Sequence, residues 1–289
     1  MRRFIIFLVF PLLVSCSHRG QVTKREIITV SIAPFRYFVT AIAGDDFEVN
    51  VMVPASADPH VYEPVPGQIT SLSRSVAFIS DGYLGFEITW LDRFFEANSG
   101  MKKLSLAGNI DLIMADKKHP HGDEGADPHY WISPKSGYSI AASVKALLCS
   151  LRPADSVKYG KNFSSLCDTI ARLDAKASRL FSDHQGKTFM IFHPALEYLA
   201  RDYHLVQMAV ESEGKEPSPS SMKSLIDEAR EKNIREIFIQ KGFDIKNAGE
   251  IARETGAILK PIDPMGENWP KEVSDIIDAV HESLEKSIR

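Results

Sequence analysis

Residues 153–183 read PADSVKYGKNFSSLCDTIARLDAKASRLFSD, a stretch in which Gly160 is the one internal residue that weakens a helix. Tyr159, Phe163, Leu166, Ile170, Leu173, Ala177 and Leu180 recur at spacings of three and four. That period predicts one amphipathic helix of about thirty residues, roughly 45 Å long at 1.5 Å per residue. Pro153 suits its first turn, where no backbone N–H is needed. Short β-rich runs alternate with helical patterns on both sides. Before it, the runs are Ile27 to Ile32, Phe47 to Val53, Val76 to Ser80 and Lys103 to Leu106, separated by helical patterns over Phe35 to Ala43, Gly67 to Ser73 and Phe86 to Ala97 and followed by Lys135 to Leu151. After it, Thr188 to Phe192, Leu205 to Val210, Glu236 to Gln240 and Ala257 to Ile262 alternate with helical patterns over Ala195 to Tyr203, Ser220 to Lys232, Ile245 to Thr255 and Lys271 to Ile288. Such alternation predicts βαβ units around parallel sheets. The expected fold class is α/β: two (β/α)4 lobes with parallel sheets, an N-terminal lobe over 26–151 and a C-terminal lobe over 186–289, joined by one long linking helix over 152–185. A chain of 289 residues exceeds what one hydrophobic core usually serves, which also favours two lobes. A single stiff connecting helix should allow only small relative motions, where a multi-strand hinge would allow wide closure.

The N-terminus has a different character. Met1-Arg2-Arg3 is positive, Phe4 to Val14 is apolar, and Leu13-Val14-Ser15-Cys16 closes the run. This is the pattern of a secretory signal, and about eleven apolar residues are too few to span a ~30 Å hydrocarbon core. The tetrapeptide resembles the bacterial lipobox, which implies a lipoprotein signal peptide over 1–15, cleavage before Cys16 and lipidation of Cys16. Residues 16–25 read as a polar tether. The expected location is therefore the cell envelope, lipid-anchored and facing the periplasm or the extracellular side. Cys149 and Cys167 fall in helical patterns, and the sequence leaves their redox state open.

With 34 basic and 38 acidic residues the net charge is −4, and nothing in that balance suggests a nucleic-acid partner. There is no His-Glu-x-x-His and no Gly-x-Ser-x-Gly, so the two most readable hydrolase motifs are absent. An enzyme is not expected.

Four residues stand at corresponding places in the βα plan. His60 lies in Asp58-Pro59-His60, after the second strand, and His129 in Asp127-Pro128-His129, after the fourth. His193 follows the first strand of the second half, and Asp263 follows its fourth. Taken singly, a His after a strand is more often a loop or capping residue, and Asp263 could cap a turn. Together they lie at the carboxyl ends of parallel strands, where open α/β sheets bind ligands, and two come from each half. Three imidazoles and a carboxylate suit Zn²⁺, a borderline-soft ion content with tetrahedral nitrogen and oxygen donors. His119 and His121, in Lys117-Lys118-His119-Pro120-His121, read as an auxiliary pair that could gather metal or as a solvated loop. Gln240 ends a strand near the expected site and reads as structural. His18, His184, His204 and His281 have no comparable placement and read as ordinary polar residues.

The stretch Ala57-Asp58-Pro59-His60-Val61-Tyr62-Glu63-Pro64, with Asp127-Pro128-His129-Tyr130-Trp131, Phe192-His193-Pro194-Ala195-Leu196-Glu197-Tyr198-Leu199 and Ile262-Asp263-Pro264-Met265, is similar to the ligand motifs of the ZnuA/TroA-like metal-binding components of bacterial ABC importers. The resemblance runs from about Ile27 to the C-terminus. It implies two (β/α)4 lobes around one metal ligated at His60, His129, His193 and Asp263. It also implies two partners, an ABC importer permease with its cytoplasmic ATPase and the membrane reached through Cys16, and a monomeric protein. Histidine at the third position resembles the zinc receptors, where manganese receptors commonly carry Glu. Zn²⁺ is the expected cargo, with Mn²⁺ or Fe²⁺ as alternatives on the same ligands. A metal-chelate or adhesin relative of the same fold is a further alternative, and a metallohydrolase is disfavoured. The long His- and acid-rich loop common in zinc receptors is reduced here to the stub around His119 and His121.

Overall fold

A computed structural model of the chain describes residues 25–55, 57–114, 125–211, 217–240 and 246–288. The expected signal, the Cys16 lipidation site and the His119/His121 pair lie outside the described residues. The first half runs β1 (Glu26–Ile32), α1 (Ala33–Ala43), β2 (Phe47–Val53), α2 (Pro66–Leu72), β3 (Ser75–Ser80), α3 (Gly85–Ala97), β4 (Lys102–Ser105) and α4 (Pro134–Leu151). The linking helix α5 (Ser156–Phe181) follows. The second half is β5 (Thr188–Ile191), α6 (Glu197–Asp202), β6 (Val206–Ala209), α7 (Pro219–Glu231), β7 (Glu236–Gln240), α8 (Lys246–Thr255), β8 (Ile258–Ile262) and α9 (Trp269–Ile288).

Both sheets are four-stranded and parallel, in the orders β2-β1-β3-β4 and β6-β5-β7-β8. The same order occurs twice, so each sheet has its chain reversal beside its first strand. Crossovers leave β1 and β5 in opposite directions there, and a crevice opens at the carboxyl ends.

The linking helix and α6 are shorter than their periodicity predicts, for local reasons. The helix over 153–183 is α-helical only across Ser156–Phe181 and is flanked by 3₁₀ turns at Pro153–Asp155 and Ser182–His184. Its 26 residues span about 39 Å. The first turn closes tightly because Asp155 N–H donates to the Arg152 carbonyl at 3.1 Å. Helix α6 begins at Glu197 rather than Ala195 because the backbone after His193 is diverted. Ala195 N–H donates to the His193 carbonyl at 2.8 Å, and Leu196 N–H to Gln207 Oε1 at 2.7 Å.

The lobes share most of their interior. One core cluster reaches from Ile28, Phe35 and Phe78 in the first half through Tyr130, Trp131, Ile170 and Phe181 to Tyr198 and Trp269 in the second. A smaller cluster, including Met190, Phe192, Ile237 and Ile251, belongs to the second half. Hydrogen bonds cross the same boundary. Trp131 Nε1 donates to the Pro264 carbonyl at 2.9 Å, and Trp269 Nε1 to the Trp131 carbonyl at 2.6 Å. Tyr198 Oη donates to the Asp127 carbonyl at 2.7 Å. These ties, more than the linking helix alone, restrict relative motion of the lobes. No helix among the described residues is long and apolar enough to cross a membrane.

Candidate metal centre

The tripeptide Asp-Pro-His occurs twice, at 58–60 and 127–129, and folds the same way both times. Asp58 Oδ1 accepts the His60 backbone N–H at 2.8 Å, and Asp127 Oδ1 accepts that of His129 at 2.8 Å. An Asp side chain that bonds the backbone two residues on, with φ preset by the intervening Pro, makes a compact turn that aims the third side chain outward. The His60 turn is braced from below. Phe86 N–H donates to the Pro59 carbonyl at 3.4 Å, and a Cβ on Gly85 would overlap the His60 carbonyl. The His129 turn continues as a 3₁₀ turn over His129–Ile132, anchored to the first sheet where Tyr130 Oη donates to the Asp81 carbonyl at 2.8 Å. His193 is carried on the turn that leaves β5.

These turns bring the three imidazoles together. His60 Nε2 and His129 Nε2 are 3.3 Å apart, and His193 Nε2 and His129 Nε2 3.2 Å. The ring centroids form a nearly equilateral triangle with sides of 5.2, 5.0 and 5.1 Å. His129 and His193 are buried and His60 is partly exposed, so His60 marks the entrance.

Two carboxylates decide what the facing nitrogens are. Asp127 Oδ1 lies 2.7 Å from His129 Nδ1, and Glu211 Oε2 lies 2.9 Å from His193 Nδ1. A carboxylate is an acceptor only, so each neutral ring places its proton on Nδ1 and leaves Nε2 a bare lone pair. In that tautomer His129 and His193 turn nitrogen lone pairs toward the same point, where a cation is the natural guest. With zinc–nitrogen bonds of about 2.0–2.1 Å, a tetrahedral edge is roughly 3.3–3.4 Å, close to the spacing already present. Burial, with the neighbouring imidazoles, holds His60 down to about 2. Burial also lowers His193, opposed by its bond to Glu211. His60 thus stays in the metal-binding, neutral form well into acid, and His193 is displaced in the same direction.

The structure brings together three of the four expected ligands. The group whose donor atoms all lie within 4.8 Å of one another is His60, His129 and His193, and it does not include Asp263. Asp263 stands directly after β8, partly buried. Its neighbour Pro264 is tied to Trp131, whose ring centroid is 5.4 Å from that of His129. Gln240 is buried at the end of β7, and among the described residues its Nε2 has no hydrogen-bond partner. Cys149 and Cys167 are both free thiols.

Asp127, Glu211 and Gly85 brace the three histidines, and the sequence reading does not single them out. Asp127 was visible in the repeated tripeptide. Glu211 stands two residues beyond β6 as His193 stands two beyond β5, and Ile191 pairs with Ala209 in register. Replacing Glu211 by Gln should weaken binding of a metal at these rings about 10–100-fold, the usual cost of losing a carboxylate that orients a metal-bound histidine. Competition against a chromophoric chelator measures this, and unchanged affinity would mean that Glu211 does not fix the ring.

A family model described as "ZnuA: Zinc-uptake complex component A periplasmic" matches residues 28–286. A putative metal-binding protein of Chlamydia muridarum is 29% identical, over 92% of this chain and 94% of the relative. The zinc-binding lipoprotein AdcA of Streptococcus pneumoniae is 24% identical over 94% of this chain, which spans only 57% of AdcA's length. A crystal structure of ZnuA superposes with a TM-score of 0.84 at 35% identity, covering 90% of this chain and 99% of that one. A match across nearly the whole chain, to a fold already seen to gather three imidazoles, leads to one assignment: the chain belongs to the family of ZnuA, the periplasmic component A of the zinc-uptake complex.

Proposed function

We propose that this protein captures a divalent transition metal, Zn²⁺ in the first instance, outside the cytoplasm and delivers it to the permease of an ABC importer whose ATPase lies in the cytoplasm. His60, His129 and His193 bind the ion through Nε2, and Asp263 supplies the fourth donor from the end of β8. The observation that supports this most directly is the convergence of the three Nε2 atoms, with two Nδ1–H groups turned back onto Asp127 and Glu211. Three nitrogens and one oxygen favour zinc over manganese, which ranks low in divalent affinity and prefers oxygen donors. A shell filled by protein side chains leaves no position for a reactive water, so the reading is of a carrier and not an enzyme. The relatives ZnuA and AdcA carry zinc in their descriptions, and AdcA is described as a lipoprotein. With the Leu13-Val14-Ser15-Cys16 pattern, this supports a protein held to the membrane through a lipidated Cys16.

The test is a chelator-competition titration of the mature chain with Zn²⁺ and Mn²⁺ separately. The expected result is one tight zinc per chain at the cleft, with manganese weaker by at least about 100-fold. Equal affinities would overturn the assignment of zinc, and no tight binding of either would overturn the function.

The pH dependence of zinc binding separates this buried site from three ordinary imidazoles. Three solvent-exposed histidines would titrate near 6.5, and log affinity would then fall by up to about three per pH unit below it. His60 is held at about 2 and His193 is lowered, so the slope between pH 5 and pH 6 should be well below three. The apo protein responds with a definite sign. His60 has a lower pKa folded than unfolded, so between about 6.5 and about 2 the unfolded state binds the extra proton. Its contribution to stability is therefore present above 6.5 and is lost as pH falls through that window. Chelator titrations and apo melting curves at pH 5, 6 and 7 check both statements, and an affinity slope approaching three would contradict the first.

A further inference from the structure

Among the described residues there is a second group of ligand atoms apart from the first. His184, His281 and Glu285 each offer one donor within 4.8 Å of the others. His184 ends the 3₁₀ turn after α5, at the amino end of β5, whereas His193 follows the carboxyl end of the same strand. The two groups therefore lie at opposite ends of the second sheet. His281 and Glu285 are four residues apart on α9, the spacing that places two side chains on one face of a helix.

The geometry is that of a partly assembled site. His184 Nε2 is 3.1 Å from Glu285 Oε1, and the two imidazole centroids are 5.3 Å apart. A nitrogen–oxygen distance of that size is close to the roughly 3.3 Å edge of a tetrahedral zinc shell. His184 is only 3% exposed, and among the described residues its Nδ1 has no hydrogen-bond partner. A buried imidazole that already stands beside a carboxylate and a second imidazole is largely ordered, so an ion bound among them adds little further ordering cost. The lysines near this turn of α9 are otherwise engaged. Lys286 Nζ donates to Glu236 Oε1 and Lys260 Nζ to Glu282 Oε2, each at 2.7 Å. His281 is partly exposed and Glu285 exposed, so an ion reaches the group from solvent.

We propose that His184, His281 and Glu285 form a second, weaker binding site for a divalent transition metal with Zn²⁺-like preference for nitrogen and oxygen donors, its remaining positions filled by water. An ion there links the end of the long helix to α9 and fastens the C-terminal lobe. This site is independent of the cleft and stands whether or not the cleft reading holds.

The test is a Zn²⁺ titration of the full chain by isothermal calorimetry, repeated on His129→Ala to remove the cleft event. His129→Ala should keep one event in the micromolar range, and adding His281→Ala should weaken that event at least about tenfold. Glu285→Gln, an exposed change that does not endanger folding, should weaken it in the same background. His281→Ala alone should leave cleft affinity and the circular dichroism spectrum as in wild type. The absence of any second event up to millimolar zinc would overturn the proposal. So would a second event that survives His281→Ala and Glu285→Gln, or one removed only by His119→Ala and His121→Ala.

Discussion

Replacing His129 by alanine is expected to lower zinc affinity by well over 100-fold, beyond the roughly 10–100-fold cost of losing a carboxylate that orients a ligand. Its Nε2 faces both of the other imidazoles, at 3.3 and 3.2 Å, so its loss opens the triangle at its common vertex. Asp127 would lose its ring partner yet still accept the backbone N–H of residue 129, so the turn itself should persist. The change is read most directly in ligand-linked stability. A ligand that binds only the folded state adds RT ln(1 + [L]/Kd), so a 100-fold weaker site forfeits about 2.7 kcal/mol of zinc stabilisation at fixed free zinc. The melting temperature of the variant should then respond far less to zinc than that of the wild type, while the apo forms melt close together. A variant that binds zinc as tightly as the wild type would remove the reason for placing the metal at this cluster.

How much of this was legible beforehand depends on whether a feature is carried by one segment or by two. Each strand and helix belongs to one segment, and its period and turn residues disclose it. His60, His129 and His193 were legible because each follows a strand, and the carboxyl end of a parallel strand is a place where ligands collect. Glu211 was not. It reaches His193 only because β5 and β6 are neighbours with Ile191 opposite Ala209, and periodicity carries no strand order. The pairing of His184 with His281 was hidden for the same reason, since one ends the linking helix and the other lies on the last helix. The shared interior of the two lobes was hidden too. An apolar stripe shows that a helix face is buried, without showing which lobe buries it.

That shared interior makes Trp131→Ala the substitution with the largest expected effect on stability, about 3–5 kcal/mol. The side chain is 1% exposed and packs edge-on against Phe35 with centroids 6.1 Å apart. Its Nε1 donates to the carbonyl of Pro264, in the other half of the chain, and its own carbonyl accepts from Trp269 Nε1. Truncation therefore leaves a cavity at the junction of the lobes and strips the Pro264 carbonyl of its donor. Trp131→Phe keeps much of the ring volume and loses the hydrogen bond, so it should cost less, about 1–3 kcal/mol, chiefly the penalty for one buried group left unpaired. Urea unfolding of the apo forms separates the two contributions, with an unchanged m-value expected if the lobes still unfold together. Pro264 follows Asp263, so both variants should also weaken zinc binding, the alanine more than the phenylalanine. If Trp131→Ala unfolded like the wild type, the lobes would have to be held together elsewhere, and the tie between His129 and the Asp263 segment would carry no energy.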